Sequence, residues 1–574
     1  MSTTDLKRKY EMCARRYLRI IQSNSGSTGN VERVALDGIR FVLICRTLGI
    51  SNARLDPVLA RYQQYLLQDL ERLHYSLESV EGSAIALKED HAKSQALTSW
   101  VTDMMVESEE LRVRSHLGQI HDETDDHATI SEPFQDRISK LTNTSSSVLE
   151  SLHRLLSESQ KREFSREIHN WQTKVLVGDN VVALNALRAA VDSLDSPSGL
   201  LASEVNQRLH VIAEARPENK INASLIQRLQ LRTEDLHLAI SQEEQERYLE
   251  TVASLEGSHA VSRFHGKIVF VEKRRNLDSA CEGEKAIEIF LRVESLAERL
   301  AKTPKPEALC TLNLLNTFSD RTDQNYGFIY AWPWDIESWD ERLKPKTLHQ
   351  LLVESGRDLR DVGPSLTHRF EIARRLANCV RIFHRIGWLH KSISSHNVLF
   401  FPRNLGDDPF EMEDGMFLVG FEYSRQDGRN FVTEPVTKEG TYDIYRHPDV
   451  TAFERRSTVD DSEPKIFEKR HDLYALGLLL MEIGLWDTME SLQQVQQNEG
   501  QAAVHIPTPQ EFFKQLNEGG KGSAESLLRF HTGDRYTDAT MTCLRGEVRD
   551  GNHGVEYFED FYTKILECLG YSLT

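Results

Sequence analysis

The stretch Trp388-Leu389-His390-Lys391-Ser392-Ile393-Ser394-Ser395-His396-Asn397, running on into Val398-Leu399-Phe400-Phe401, decides how this chain folds. Ahead of it Phe370, Ile372, Ala373, Leu376, Ala377, Val380, Ile382 and Phe383 recur at helical spacing, and the helix delivers the chain to Gly387. Behind it the apolar run from Val398 to Phe401 reads as a short strand. The loop between them carries imidazole, hydroxyl and amide groups but no carboxylate. A serine hydroxyl at 392 cannot act as a general base near neutral pH. The loop has the setting of a reactive segment without its usual reactive group.

The helix, the Gly387-Trp388-Leu389-His390 turn and the loop together resemble the catalytic segment of protein kinases, His-Arg-Asp-Leu-x-x-x-Asn. The resemblance puts His390 at the histidine under the active site and Lys391 at the arginine. Ser392 stands at the catalytic aspartate, Ser394 at the loop lysine and Asn397 at the metal-binding asparagine. Downstream, Phe417-Leu418-Val419-Gly420-Phe421-Glu422 lies where Asp-Phe-Gly belongs, with Phe421 kept and Gly420 in place of the magnesium-binding aspartate. Tyr445-Arg446-His447-Pro448-Asp449 is similar to the Ala-Pro-Glu end of the activation segment, and Arg545 or Arg549 is expected opposite Asp449. His471-Asp472-Leu473-Tyr474-Ala475-Leu476-Gly477 resembles the start of the buried helix whose aspartate braces the catalytic loop, here Asp472, with Gly477 kept.

Upstream, Gly266-Lys267-Ile268-Val269-Phe270-Val271-Glu272-Lys273 is a β-branched and aromatic run with strand character. Its ending is similar to the third-strand lysine motif, which implies a phosphate-neutralising role for Lys273. The glycine-rich lid is missing, because only Gly257 and Gly266 are available ahead of that lysine. Glu288 and Glu294 are the candidates for the ion-pairing helix glutamate. Tyr326 to Trp334 fits the strand that enters the hinge, and Trp332 and Trp334 are expected to cover the lobe junction rather than an adenine slot.

What the resemblance retains is architectural: His390, Phe421, Pro448, Asp472 and Gly477. What it lacks is chemical: the base, the metal carboxylate and the lid. Phosphoryl transfer depends on positioning and on metal-borne charge, and one amide at Asn397 does not hold Mg²⁺. Lys273 and Asn397 are the only cofactor-binding candidates. No metal site and no required cofactor are expected, and ATP is expected to bind weakly or not at all. Three readings stay open: a pseudokinase, an unusual active kinase that recruits Asp414 or Glu422, and a non-catalytic scaffold. Thr433, Thr437, Thr441 and Tyr442 offer hydroxyls for phosphorylation in the activation-segment equivalent.

The N-terminal half is helical in pattern. Leu6, Tyr10, Cys13, Tyr17 and Ile21 share one face of a helix whose other surface carries Lys7, Arg8, Lys9, Arg15, Arg16 and Arg19. Such a helix is either a bundle member with a solvated basic face or a helix that lies on anionic lipid. A second helix runs from Val34 to Leu48-Gly49-Ile50. A third, from Asp56-Pro57, carries Leu55, Leu59, Tyr62, Leu66, Leu70, Leu73 and Leu77 as one stripe. Leu6 to Val80 resembles the HeLo domain, a helical bundle of fungal heterokaryon incompatibility. Ile44-Cys45 departs from the family's Trp-Gly, and the apolar N-terminal segment associated with membrane insertion is lacking.

Residues 107–132 are acidic and read as a loop, and helical pattern resumes with Ile138, Leu141, Val148, Leu149, Leu152, Leu155 and Leu156 and again with Val181, Leu184, Leu187, Val191 and Leu194. The fold class expected is α+β: an all-α HeLo-like bundle over 1–160, connecting helices over 161–250, and a two-lobed kinase-like domain over 251–574. The net charge of −19 argues against sequence-independent nucleic-acid binding. The seven cysteines form no C-x-x-C pair and read as free thiols. The N-terminus lacks a secretory pattern, and the most apolar run, Leu473 to Trp486, is shorter than the ~20 residues a bilayer span needs. A cytoplasmic, at most membrane-peripheral protein with protein partners is expected. Its kinase-like part would regulate the bundle in a fungal cell-death or incompatibility response.

Overall fold

The apolar stripes of the N-terminal third become packed helices in the computed structural model. It describes residues 3–23, 30–51, 59–81, 134–177, 249–255, 259–274, 307–320, 325–336, 339–357, 363–404, 415–427, 443–450, 467–495, 523–549 and 554–571, with short pieces at 55, 184–185, 187–188, 201, 204–209, 296–297 and 300–301. The chain divides into two compact units, Met1–Leu209 with Ser572–Thr574, and His210–Tyr571.

The first unit contains α1 (Thr3–Ser23), α2 (Asn30–Thr47), α3 (Gln63–Glu81), α4 (Phe134–Arg154) and α5 (Glu158–Val177). Leu6, Tyr10, Cys13, Ala14, Tyr17 and Ile20 are buried on α1, a stripe of helical spacing laid against α2 and α3. The face that lipid would need is therefore inside the bundle. On the polar side Arg16 meets Glu78 at 2.8 Å. The Tyr17 hydroxyl shares a hydrogen bond with Ser145 Oγ at 2.6 Å, tying α1 to α4.

Leu66, Leu70, Leu73, Leu77 and Val80 give α3 its buried stripe. Tyr62 breaks the pattern and is 44% exposed. It ends a 3-10 turn, Leu59–Tyr62, whose tighter winding rotates the side chain off the α-helical face. Asp56 and Pro57 lie outside the described residues, as do 107–132 and Val181, Val191 and Leu194.

The boundary expected at residue 160 falls inside α5, which packs on α2 and buries Trp171, Val175 and Leu176. Its start is set by a reciprocal cap: the Ser157 amide donates to Gln160 Oε1 at 3.0 Å and the Gln160 amide to Ser157 Oγ at 3.4 Å.

The second unit is mixed, so the chain as a whole is α+β. Its strands β1 (Leu249–Ser254), β2 (His259–Phe264), β3 (Lys267–Arg274), β4 (Leu314–Asp320) and β5 (Asn325–Ala331) form an antiparallel sheet in the order β1-β2-β3-β5-β4. Ala260, Phe264, Val269, Val271 and Ile329 make one apolar face of it. Strand alternation sends Phe270, Glu272 and Tyr330 to the other face.

A helical body follows. The strand β6 (Lys346–Thr347) leads into α6 (Leu348–Arg357), and α7 (Leu366–Arg385) is capped by Ser365, whose hydroxyl accepts from the His368 amide. The short strands β7 (Trp388–Leu389), β8 (Val398–Phe400), β9 (Met416–Leu418) and β10 (Arg425–Gln426) pair as β6-β8-β9 and β10-β7. Then come α8 (Lys469–Leu485), α9 (Met489–Val495), α10 (Ala524–Thr532), α11 (Asp534–Arg545) and α12 (Val555–Asp560).

The apolar run noted in sequence is α8, buried continuously from His471 to Gly484, as a helix apolar on every side should be. Gly477 lets α11 approach closely, since a Cβ there would meet Leu544 Cγ at 2.8 Å. Among the described residues no helix is long and apolar enough to cross a membrane.

Candidate functional site

The loop that opens the sequence reading is fixed by one carboxylate. Asp472, in the first turn of α8 and 1% exposed, accepts from the His390 amide at 2.8 Å and the Lys391 amide at 2.9 Å. His384 Nε2, at the end of α7, lies 3.0 Å away, and its Nδ1 is 2.7 Å from the Tyr557 hydroxyl. Burial alone would raise the Asp472 carboxyl, but the bonds and charge of His384 and His390 hold it below its ordinary value. Lys391 has φ +68°, a left-handed conformation costly for a non-glycine residue. The bond from its amide to Asp472 compensates that strain.

Beneath the loop the rings of His390, Phe421 and Phe383 form a cluster, with His390–Phe421 centroids 4.7 Å apart and Phe383–Phe421 5.4 Å apart. The loop closes on itself where Asn397 Nδ2 donates to the Ser392 carbonyl at 2.7 Å and the Ser392 amide donates to His390 Nδ1 at 3.3 Å. The amide of Asn397 is thus engaged in holding the turn. Among the described residues the Ser392 hydroxyl bonds to no carboxylate or imidazole.

Gly420 adopts φ +84°, and a Cβ on it would come within 2.4 Å of Asn397 Nδ2 and 2.9 Å of Oδ1. Its amide donates to Glu272 Oε2 at 3.2 Å, and the same oxygen accepts from the Tyr330 hydroxyl at 3.4 Å.

Here the structure corrects the sequence reading. Lys273, expected beside Gly420 and Asn397, is exposed, and the buried side chain that reaches Gly420 from β3 is Glu272. Successive strand residues face opposite sides of the sheet, so a shift of one position exchanges a cation for a carboxylate.

An aromatic cluster centres on Phe401, just past β8. Phe401 lies 5.7 Å from Phe270, 5.0 Å from Trp332, 6.4 Å from Trp334 and 5.6 Å from Phe417, centroid to centroid. Trp332 and Trp334 therefore cover the junction between the five-stranded sheet and the β6-β8-β9 sheet.

A second network secures the other side. Tyr445 donates to Glu482 Oε1 at 2.7 Å and shares a bond with Ser395 Oγ at 2.8 Å. Burial pushes the Glu482 carboxyl up to about 8. Pro448 is buried nearby. Asp449 does not meet Arg545 or Arg549; it pairs with Arg470 at 3.1 Å, while Arg545 holds Glu525 and Arg549 holds Asp560. Those arginines are taken by nearer carboxylates, Glu525 on α10, which packs on α11, and Asp560 at the end of α12.

Glu288, Glu294, Asp414, Gly257, Thr433, Thr437, Thr441, Tyr442 and the side chain of Glu422 lie outside the described residues. Sequence reasoning missed Glu272 and His384. Its parity within β3 was the available signal for the first; nothing in the pattern of α7 distinguished the second. It also assigned nothing to the first unit, where a cavity of about 680 Å³ is lined by Asp37, Arg40, His153, Phe164 and His169 among others.

The buried histidines give the second unit a defined pH response. Burial lowers His259 and His390 to about 4 and His471 to about 3, from an ordinary 6.5. Below pH 6.5 the unfolded chain takes up protons that these folded imidazoles refuse, so stability falls as pH drops, by about 1.4 kcal/mol per pH unit for each. Glu482 acts oppositely, weakening the fold as pH rises from its ordinary value to about 8. The three histidines outweigh it. Urea unfolding of the second unit is expected to lose stability steadily from pH 6.5 to 4; an unchanged midpoint over that range would contradict these assignments.

No protein-family model matches the sequence, and no curated protein matches it.

Proposed function

We propose that the second unit is a kinase-like domain without catalytic function, and that the protein is a signalling pseudokinase whose second unit regulates its helical first unit. The five-stranded sheet ahead of a helical body supports the two-lobed reading, and the cluster of His390, Phe421 and Asp472 supports the motif assignments.

The observation that carries the proposal is the Glu272 carboxylate on the Gly420 amide. Catalysis of phosphoryl transfer needs a cation and a metal-holding carboxylate around the phosphates. In this reading the lysine slot holds an anion, the metal position has no side chain, and the amide that would assist it is bonded to the Ser392 carbonyl. With the lysine slot and the metal position both altered in this reading, ATP is a weak ligand or none. The first unit is read as a HeLo-like bundle acting through protein partners in a fungal incompatibility type of response. The scaffold reading gains from α1, whose apolar face is buried rather than offered to a membrane.

Incubating the full chain with labelled ATP and Mg²⁺ or Mn²⁺ tests this. No phosphate is expected on the protein or on generic protein substrates. Transfer that disappears in Asn397→Ala would overturn the proposal.

A further inference from the structure

A set of zinc-type ligands converges beside the loop. His349 lies in the first turn of α6, His396 in the 3-10 turn Ser395–Asn397, and Glu490 in the first turn of α9. The imidazoles of His349 and His396 are stacked with centroids 4.0 Å apart and planes 25° apart. His349 Nε2 is 4.0 Å from Glu490 Oε2. One ligand atom from each residue lies within 4.8 Å of the other two.

Two features make this cluster more than a coincidence of polar side chains. Both carboxylate oxygens of Glu490 are buried and neither accepts a hydrogen bond. A buried carboxylate left without donors is costly, and a cation is the simplest compensation. The three ligands also come from three separate segments, α6, the Ser395–Asn397 turn and α9, so no local run of sequence brings them together.

We propose that His349, His396 and Glu490 bind a divalent d-block cation of the zinc class, with water completing its coordination. Imidazole and carboxylate are the donors such a cation accepts in sites with three protein ligands. Tetrahedral ligands at the usual zinc distances stand about 3.3 Å apart, so binding draws the three groups together and turns the imidazoles out of their stack. The ion would fasten α6 and α9 to the residue beside Asn397.

The other grouping of this kind, His447, Asp449 and His471, leaves His471 Nε2 without a partner among the described residues but has its carboxylate and one nitrogen of each ring engaged. His447 Nδ1 accepts from the Asp449 amide at 3.1 Å, His471 Nδ1 from the Glu468 amide at 2.8 Å, and Asp449 pairs with Arg470 at 3.1 Å. It serves as the control.

The test is titration of the chelator-treated full chain with Co²⁺, followed by displacement with Zn²⁺. One equivalent is expected to produce the visible absorption of four-coordinate Co²⁺, and Zn²⁺ should abolish it. Affinity should fall by roughly a hundredfold or more in His349→Ala and in the isosteric Glu490→Gln, and stay unchanged in His447→Ala. Absence of the band in the parent protein overturns the proposal. So does a parent-like titration of Glu490→Gln, or loss of the site in His447→Ala alone. Glu490→Gln decides the matter should His349→Ala fail to fold.

Discussion

Asp472→Ala is expected to lower the unfolding free energy of the second unit by roughly 3–5 kcal/mol, the cost of breaking a buried charged network from one side. The substitution strands the His390 and Lys391 amides, which both depend on this carboxylate, and removes the partner of His384 Nε2 at 3.0 Å. Lys391 would keep its left-handed backbone without the bond that compensates it. Asp472→Asn should recover little, because its amide offers one acceptor oxygen and turns a donor toward other donors. Denaturant unfolding followed by Trp388 and the other tryptophan fluorescence would read the loss. A change under about 1 kcal/mol in Asp472→Ala would mean that the loop is held by its own packing and not by α8.

The second large effect concerns Gly420. Placing an aspartate there is the route to a metal site that the proposed reading suggests, yet Gly420→Asp is expected to destabilise the second unit by roughly 2–4 kcal/mol and to yield no activity. The backbone at φ +84° disfavours any side chain, and the new Cβ would sit 2.4 Å from Asn397 Nδ2. The added carboxylate would also face Glu272, which bonds the same amide. Gly420→Ala separates these causes, carrying the steric penalty without the charge. The double variant Ser392→Asp/Gly420→Asp is likewise expected to transfer no phosphate. Full stability of Gly420→Asp in urea would show that the close approach to Asn397 relaxes easily.

How far the sequence could be read depended on what kind of information each feature carried. Apolar periodicity placed α1, α3, α4 and α7 because a buried stripe is written directly in the residues that line it. The meeting of His390, Phe421 and Asp472 is what the resemblance to the protein-kinase motif order implies. Facing was harder. A strand ending in Glu272-Lys273 looks the same whichever residue turns inward, and a slip of one position reverses every side chain. A glutamate is also seldom fully buried, so Lys273 was the natural expectation and Glu272 the surprise.

The sequence pattern does not reveal β1 and β2: Ser262 and Arg263 interrupt the apolar pattern of β2, although β2 pairs with β3 through the whole of His259 to Phe264 and with β1 on its other side. The boundary at 160 could have been avoided, since Ser157 and Gln160 spell out a helix start. The pairing of Asp449 with Arg470 is local to the start of α8, whereas the expectation reached across the chain to Arg545 and Arg549.

The central claim is that this loop organises a fold and does not handle nucleotide. Its most direct test is calorimetric titration of the full chain with ATP, with and without Mg²⁺. No saturable, metal-dependent binding is expected, because in the proposed reading the lysine slot holds the Glu272 carboxylate and Gly420 brings no metal-binding side chain. Tight Mg²⁺-dependent binding that Asn397→Ala abolishes would contradict it.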